Sequence, residues 1–186
     1  VSRQPVREAF IKLSEEGLLD IRPQRGAYVR KIDVNAVMDG RFVREAVEAD
    51  IVKLVAADAD PAVVRDLRAQ IARQADLTGD SIAFIIADET FHRTLAVAAG
   101  KAHTWSVTEG LKVRMDRVRH LGARAFPIAK LVIQHGAVCD AIGRRDPPAA
   151  ETAMRGHLRE ALTDLPDVAA AMPDFFDRSD LQPRPA

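Results

Sequence analysis

Cysteine is almost missing from this chain. Cys139 stands alone, so no internal disulfide can form, and the expected reading is a buried thiol in a cytoplasmic protein. Long apolar runs are missing too: none approaches the ~18 residues that a membrane-crossing helix needs. The first residues lack the pattern of a secretory leader. Internal repeats and low-complexity tracts are absent, which argues against a solenoid or a disordered array. Net charge is zero, with 27 residues of each sign. What is present is an ordinary globular mix over 186 residues, 47 % apolar and 29 % charged. That is enough for one sizeable core, or one core with a small module attached.

The zero net charge hides an asymmetry. Residues 1–31 carry seven Lys/Arg against four Asp/Glu, whereas the rest carries 20 against 23. A basic end on a mildly acidic body suits one part that approaches phosphate and another that does not.

The basic end opens directly on a helical pattern. Ser2 is a candidate cap, Pro5 falls in the first turn, and Val6, Phe10, Leu13 and Leu18 follow near helical spacing until Gly17 stops the helix. Leu18 to Arg22, the turn Pro23-Gln24-Arg25-Gly26, and Ala27 to Arg30 then predict a short β-hairpin. Beyond residue 32 the spacing predicts six helices, over about 34–57, 61–77, 81–99, 103–122, 127–144 and 147–164. Asp33, Asp60, Asp80 and Asp146 are the expected caps, with Pro61, Pro127 and Pro147 near helix starts and Gly100 as a stop. Pro166, Pro173, Pro183 and Pro185 predict an irregular tail over 166–186, with at most a short helical piece around 168–177.

Ser2-Arg3-Gln4-Pro5-Val6-Arg7-Glu8-Ala9, Glu16-Gly17-Leu18-Leu19 and Ile21-Arg22-Pro23-Gln24-Arg25-Gly26-Ala27-Tyr28-Val29 together resemble the recognition helix and β-wing of the GntR family of transcription regulators. The resemblance implies that residues 1–31 are the C-terminal part of a winged helix-turn-helix. The chain is expected to start without the two helices that precede this part in the family. A recognition helix presents its first residues to base edges in the major groove. There, arginine pairs with guanine and glutamine with adenine. Arg3 and Arg7 lie four residues apart on one helix face. The family pattern places DNA contacts at Ser2, Arg3, Gln4, Arg7, Arg25 and Gly26. Arg22 and Arg30 read as solvated surface.

Four residues stand out in the body. Asp88 and His92 share a helix face with the apolar stripe Phe84, Phe91 and Leu95. His135 runs with Leu131, Val138 and Ile142, and His157 with Met154. Three helices thus aim imidazoles at a core, where buried polar groups need partners, and one shared metal ion would satisfy all of them. Asp88-Glu89-Thr90-Phe91-His92 with Leu95, Ala98 and Gly100, then Gln134-His135-Gly136 and Arg155-Gly156-His157-Leu158, resemble the FCD sensor domain of the FadR branch of GntR regulators. Gln134 stands where the family often has Glu, and Lys101 where it often has Asn. The resemblance implies an all-α antiparallel bundle of six or seven helices over residues 32–165. It also implies a divalent metal, zinc or else nickel, held by Asp88, His92, His135 and His157. His103 and His120 match no ligand position.

Family members commonly sense small organic acids. Arg44, in an Arg-x-x-x-Glu stretch, either grips such a carboxylate or pairs with Glu48. Arg114 and Arg117 are further candidates to line the cavity. The implied whole is a homodimeric repressor on palindromic double-stranded DNA, with no membrane partner. Two other readings remain open. A His₃Asp metal can activate water in a hydrolase, but no general base is suitably spaced, since Glu89 points ~100° away from Asp88 on its helix; no catalytic residue is assigned. The metal can also be purely structural, in a dimerisation module without effector sensing.

Overall fold

The computed structural model describes residues 3–77, 79–122, 128–160 and 162–177. Ser2, Pro127, Pro183 and Pro185 therefore lie outside the described residues, as does the rest of 178–186.

Helix α1 (Arg3–Glu15) and strands β1 (Leu19–Arg22) and β2 (Gly26–Val29) form the basic end. The helix stops because Gly17 adopts φ +76°, which only glycine reaches without strain. The stop is closed by Leu18 N–H donating to Leu13 O and Gly17 N–H to Ser14 O, at 2.9 and 3.0 Å. The hairpin pairs Leu19 with Val29 and Arg22 with Gly26, so its turn is the expected one. Arg22 packs over the Tyr28 ring. Helix α1 buries no side chain, and Val6, Phe10 and Ile11 stand exposed.

The remainder is helical: α2 (Val34–Ala57), α3 (Pro61–Ala75), α4 (Ser81–Ala98), α5 (Ala102–Leu121), α6 (Ile128–Gly143), α7 (Pro147–Glu160), α8 (Leu165–Ala171) and a 3₁₀ turn at Pro173–Phe175. All four expected aspartate caps form. Asp33, Asp60, Asp80 and Asp146 accept from the backbone N–H of Ala36, Ala62, Ala83 and Ala149 at 2.7–3.0 Å, supplying partners that helix starts otherwise lack. Helix α2 is the spine, packed against α4, α5, α6 and α7.

Two apolar clusters result. The larger joins α2, α3, α4, α6 and α7 around Val52, Leu67, Phe91, Leu95, Ile142, Met154 and Leu158. The smaller gathers Ile32, Val37, Met115, Val118, Leu162, Leu165, Ala169 and Phe176. The smaller one includes the start of the tail, where the sequence predicts a short helical piece around 168–177. Residues 165–171 are helical, with Pro166 harmless in the first turn, Pro173 opens the 3₁₀ turn, and Phe176 is fully buried. The apolar side chains of this stretch outweigh its prolines, which here sit only where no N–H is required. Among the described residues, no helix is long and apolar enough to cross a membrane.

Leu67 is fully buried in the main cluster, whereas Ile133 is 73 % exposed. Leu67→Ala is expected to lower unfolding stability by about 2–5 kcal/mol, and Ile133→Ala by no more than about 0.5 kcal/mol. Urea titration followed by helical circular dichroism checks both.

Candidate metal centre and its surroundings

Helix α4 carries Asp88 and His92 one turn apart, α6 carries His135, and α7 carries His157. All four are buried, at no more than 2 % exposure. Their inward atoms lie within 4.8 Å of one another. His157 Nε2 is 3.2 Å from both His92 Nε2 and His135 Nε2. Asp88 Oδ1 is 3.4 Å from His135 Nε2 and 3.8 Å from His92 Nε2. Phe91 stacks on His135, with centroids 4.3 Å apart, and holds that ring in place.

A second layer decides what these atoms present to one another. His92 Nδ1 faces Glu48 Oε2 at 2.5 Å, His135 Nδ1 faces Gln74 Oε1 at 2.7 Å, and His157 Nδ1 faces Gln134 Oε1 at 3.1 Å. Gln74 Nε2 donates to Ala87 O at 3.0 Å, so its Oε1 must be the atom turned to His135. Carboxylate and amide oxygens only accept, so each Nδ1 carries the ring proton and each Nε2 points a lone pair inward.

The electrostatics agree. Burial pushes the pKa of His135 down despite the nearby Asp88 carboxylate. Burial, with the neighbouring imidazoles, holds His157 well below its ordinary value. Burial alone would raise Asp88, but the Arg119 guanidinium, whose Nη1 donates to Asp88 Oδ2 at 2.9 Å, keeps it an anion. The close approach of His135 Nε2 to His157 Nε2 therefore has no proton between the two nitrogens, an arrangement that repels unless a cation lies between them. Three imidazole lone pairs and one carboxylate oxygen at these separations fit a divalent ion of the zinc or nickel type, with bonds of about 2.0–2.2 Å.

Arg44 is buried, and its Nε donates to Glu48 Oε1 at 2.6 Å, so the pairing considered from the sequence is present. The same carboxylate holds His92, which links Arg44 to the cluster through one side chain. Arg44 Nη2 is buried without a hydrogen-bond partner among the described residues, as is the indole nitrogen of Trp105, whose ring lies parallel to His92. A buried guanidinium N–H without a partner is costly and suits an incoming carboxylate.

Arg114 and Arg117 do not converge on the cluster. They line a cleft at the hairpin end: Arg114 lies against Gly17, and Arg117 Nη2 donates to Arg30 O at 2.5 Å. Arg3, Gln4 and Arg7 sit on the first turns of α1, and Arg25 and Gly26 at the hairpin turn, all exposed. His103 and His120 are exposed, away from the cluster. Sequence reasoning missed the outer layer of Glu48 (as a partner of His92), Gln74, Gln134 and Arg119. Arg119 and Gln74 lie in polar helical stretches with no local mark of their role. Glu48 was visible only as the i,i+4 neighbour of Arg44.

Residues 41–160 match the FCD domain, and residues 1–29 match the family described as bacterial regulatory proteins, gntR family. The chain is 39 % identical over 177 residues to an HTH-type transcriptional regulator in an unstable DNA locus of Streptomyces ambofaciens, covering 95 % of this chain and 75 % of that protein. It is 37 % identical over 179 residues to the HTH-type transcriptional repressor RspR of Escherichia coli, covering 95 % and 78 %. Among solved structures, E. coli McbR/YncC superposes with a TM-score of 0.78 at 16 % identity, over 92 % of this chain and 87 % of that one, a likeness of fold alone.

Glu48 ties Arg44 to His92; burial works to raise its pKa, but the Arg44 guanidinium and the hydrogen bond with His92 outweigh it and bring the pKa from 4.5 down to about 2. A depressed carboxylate contributes stability above its unfolded pKa and loses it as pH falls through the folded one. Glu48→Gln is therefore expected to cost about 3–5 kcal/mol near neutrality, with the gap to the parent closing between pH 4.5 and about 2; urea titrations across that range read it. Metal affinity in the same variant, measured by calorimetry, is expected to drop about 10–100-fold.

Proposed function

Because the chain belongs to the GntR family of bacterial transcription regulators, with an FCD domain as its larger part, we propose that it is a cytoplasmic, homodimeric repressor whose bundle holds a divalent metal and senses a small organic acid. Its relatives are named as transcription regulators, not enzymes. Zinc is the first choice of metal and nickel the second. In this reading Asp88, His92, His135 and His157 hold the ion, and Arg44 takes the acid's carboxylate. Arg3, Gln4, Arg7, Arg25 and Gly26, with Ser2, face a palindromic operator.

The observation that carries the reading is the inward convergence of three imidazole lone pairs and Asp88 Oδ1, each fixed from behind by its own partner. The bound ion would supply a fixed positive charge that attracts an anion. The chain's own residues orient the rings, exclude water and keep Asp88 ionised. Arg44 Nη2 adds the second attachment point that an acid requires for orientation. Burial of all four ligands also favours the alternative of a closed, structural metal site.

Thermal unfolding of the full chain against a panel of small carboxylates, with and without zinc or nickel, separates the two. A ligand at 100 times its Kd adds about 2.7 kcal/mol, and each kcal/mol moves the midpoint by about 2–4 °C in a chain of this size. The expected result is a shift that needs both metal and one acid. It should be lost in His135→Ala. In Arg44→Lys, which keeps the charge toward Glu48 but not the planar fork, metal stabilisation should persist while the acid shift disappears. A large loss on chelation with no response to any acid would leave a structural metal and end the sensing claim.

A further inference from the structure

The hairpin joins the bundle through residues 30–33, a joint with little of its own to hold it. Arg30, Lys31 and Asp33 are exposed, and only Ile32 is buried. Among the described residues, none of the apolar clusters includes a side chain of the hairpin. A cleft of about 320 Å³ separates hairpin and bundle instead, lined largely by charged side chains including Arg22, Arg30, Lys31, Arg114, Arg117 and Asp177.

The fastening comes from the far end of the chain. Ile32 N–H donates to Phe175 O at 2.8 Å, and Asp177 N–H donates to Ile32 O at 2.9 Å, a parallel bridge between Ile32 and Phe176. The Phe176 side chain is fully buried in the smaller apolar cluster, beside Ile32, Met115 and Val118. Two positions earlier than Ile32, Arg30 O is held by Arg117 of α5. The smaller cluster is distinct from the main core, so it can open while the main core stays packed. Segments held by few apolar contacts and a short run of backbone bonds are the ones that open first.

We propose that Phe175–Asp177 is a strap that fastens the joint between the hairpin and the bundle, and that the strap, not the joint's own residues, decides whether the α1–β2 end is held or free to swing. The strap holds Ile32 by both backbone groups and one phenyl ring. Once it releases, the contacts to the hairpin end that remain among the described residues are from Arg114 and Arg117, across a polar cleft. Angular freedom of that end relative to the bundle is then set by whatever binds or displaces the C-terminal segment.

Limited trypsin digestion of the full chain, read by mass spectrometry, tests the proposal, because cleavage reports the population of locally opened chain. Arg30 and Lys31 are cleavage points beside Ile32, and Arg25, in the open hairpin turn, is the internal reference. Two variants loosen the strap differently. Phe176→Ala removes the ring from the cluster. Asp177→Pro removes the N–H that bonds Ile32 O, and Phe176 already has the extended backbone that a following proline requires.

Both variants are expected to raise cleavage after Arg30 and Lys31 at least about tenfold relative to cleavage after Arg25, with helical circular dichroism unchanged. If Phe176→Ala loses helical content, Asp177→Pro alone decides. The proposal is overturned if a variant with parental helicity keeps parental protection at Arg30 and Lys31. It is equally overturned if the parent is cut after Lys31 as fast as after Arg25.

Discussion

Burial of charge in the bundle core is the constraint on which the rest of the structure depends. Asp88, Glu48, Arg44 and Arg119 are all nearly inaccessible, together with three imidazoles. An ion or dipole removed from water must find partners with good geometry or the fold loses several kcal/mol. Here the partners come from different helices. Asp88 of α4 needs Arg119 of α5, His92 needs Glu48 of α2, His135 of α6 needs Gln74 of α3, and His157 of α7 needs Gln134 of α6. Six helices are thereby held in one relative arrangement by directional bonds, where apolar packing alone would tolerate sliding.

The same constraint explains why α2 is the spine. A helix with one apolar stripe serves one neighbour. Helix α2 buries Val37 near its start, Arg44 and Glu48 around its middle and Ile51, Val52 and Val55 near its end, so it contributes apolar packing at both ends and counter-charge between them. The division recurs at the level of the molecule, with the larger apolar cluster and the polar cluster making up the rigid body. The smaller apolar cluster around Ile32 and Phe176 lies where the hairpin is attached. Rigidity and attachment are thus assigned to separate groups of residues.

Where a signal is local, it was legible. Each aspartate cap acts on an N–H two or three residues ahead, and helix α2 runs over Val34–Ala57 as its spacing predicts. Gly17 and the turn before Gly26 obey backbone sterics that need no distant partner. That Asp88, His92, His135 and His157 face inward was legible because their spacing put them on apolar helix faces. That Arg114 and Arg117 line the cleft at the hairpin end was not legible, because their helix face could be assigned only with knowledge of what α5 packs against. In the tail a short helical piece was legible along the chain, but the burial of Phe176 was not, because the cavity that receives it is built by residues 32, 37, 115 and 118.

The sequence by itself determined the order of elements, their caps and stops, and the residue types available to hold an ion, since these follow from interactions within one or two turns. It took the folded chain to show that Arg119, Gln74 and Glu48 stand behind Asp88, His135 and His92, that Arg44 Nη2 lacks a hydrogen-bond partner among the described residues, and that the C-terminal segment is bound to the joint at Ile32. Those outcomes depend on contacts between residues tens to more than a hundred positions apart. Such contacts form only when several amphipathic faces close on one another together, and no single stretch of chain encodes them.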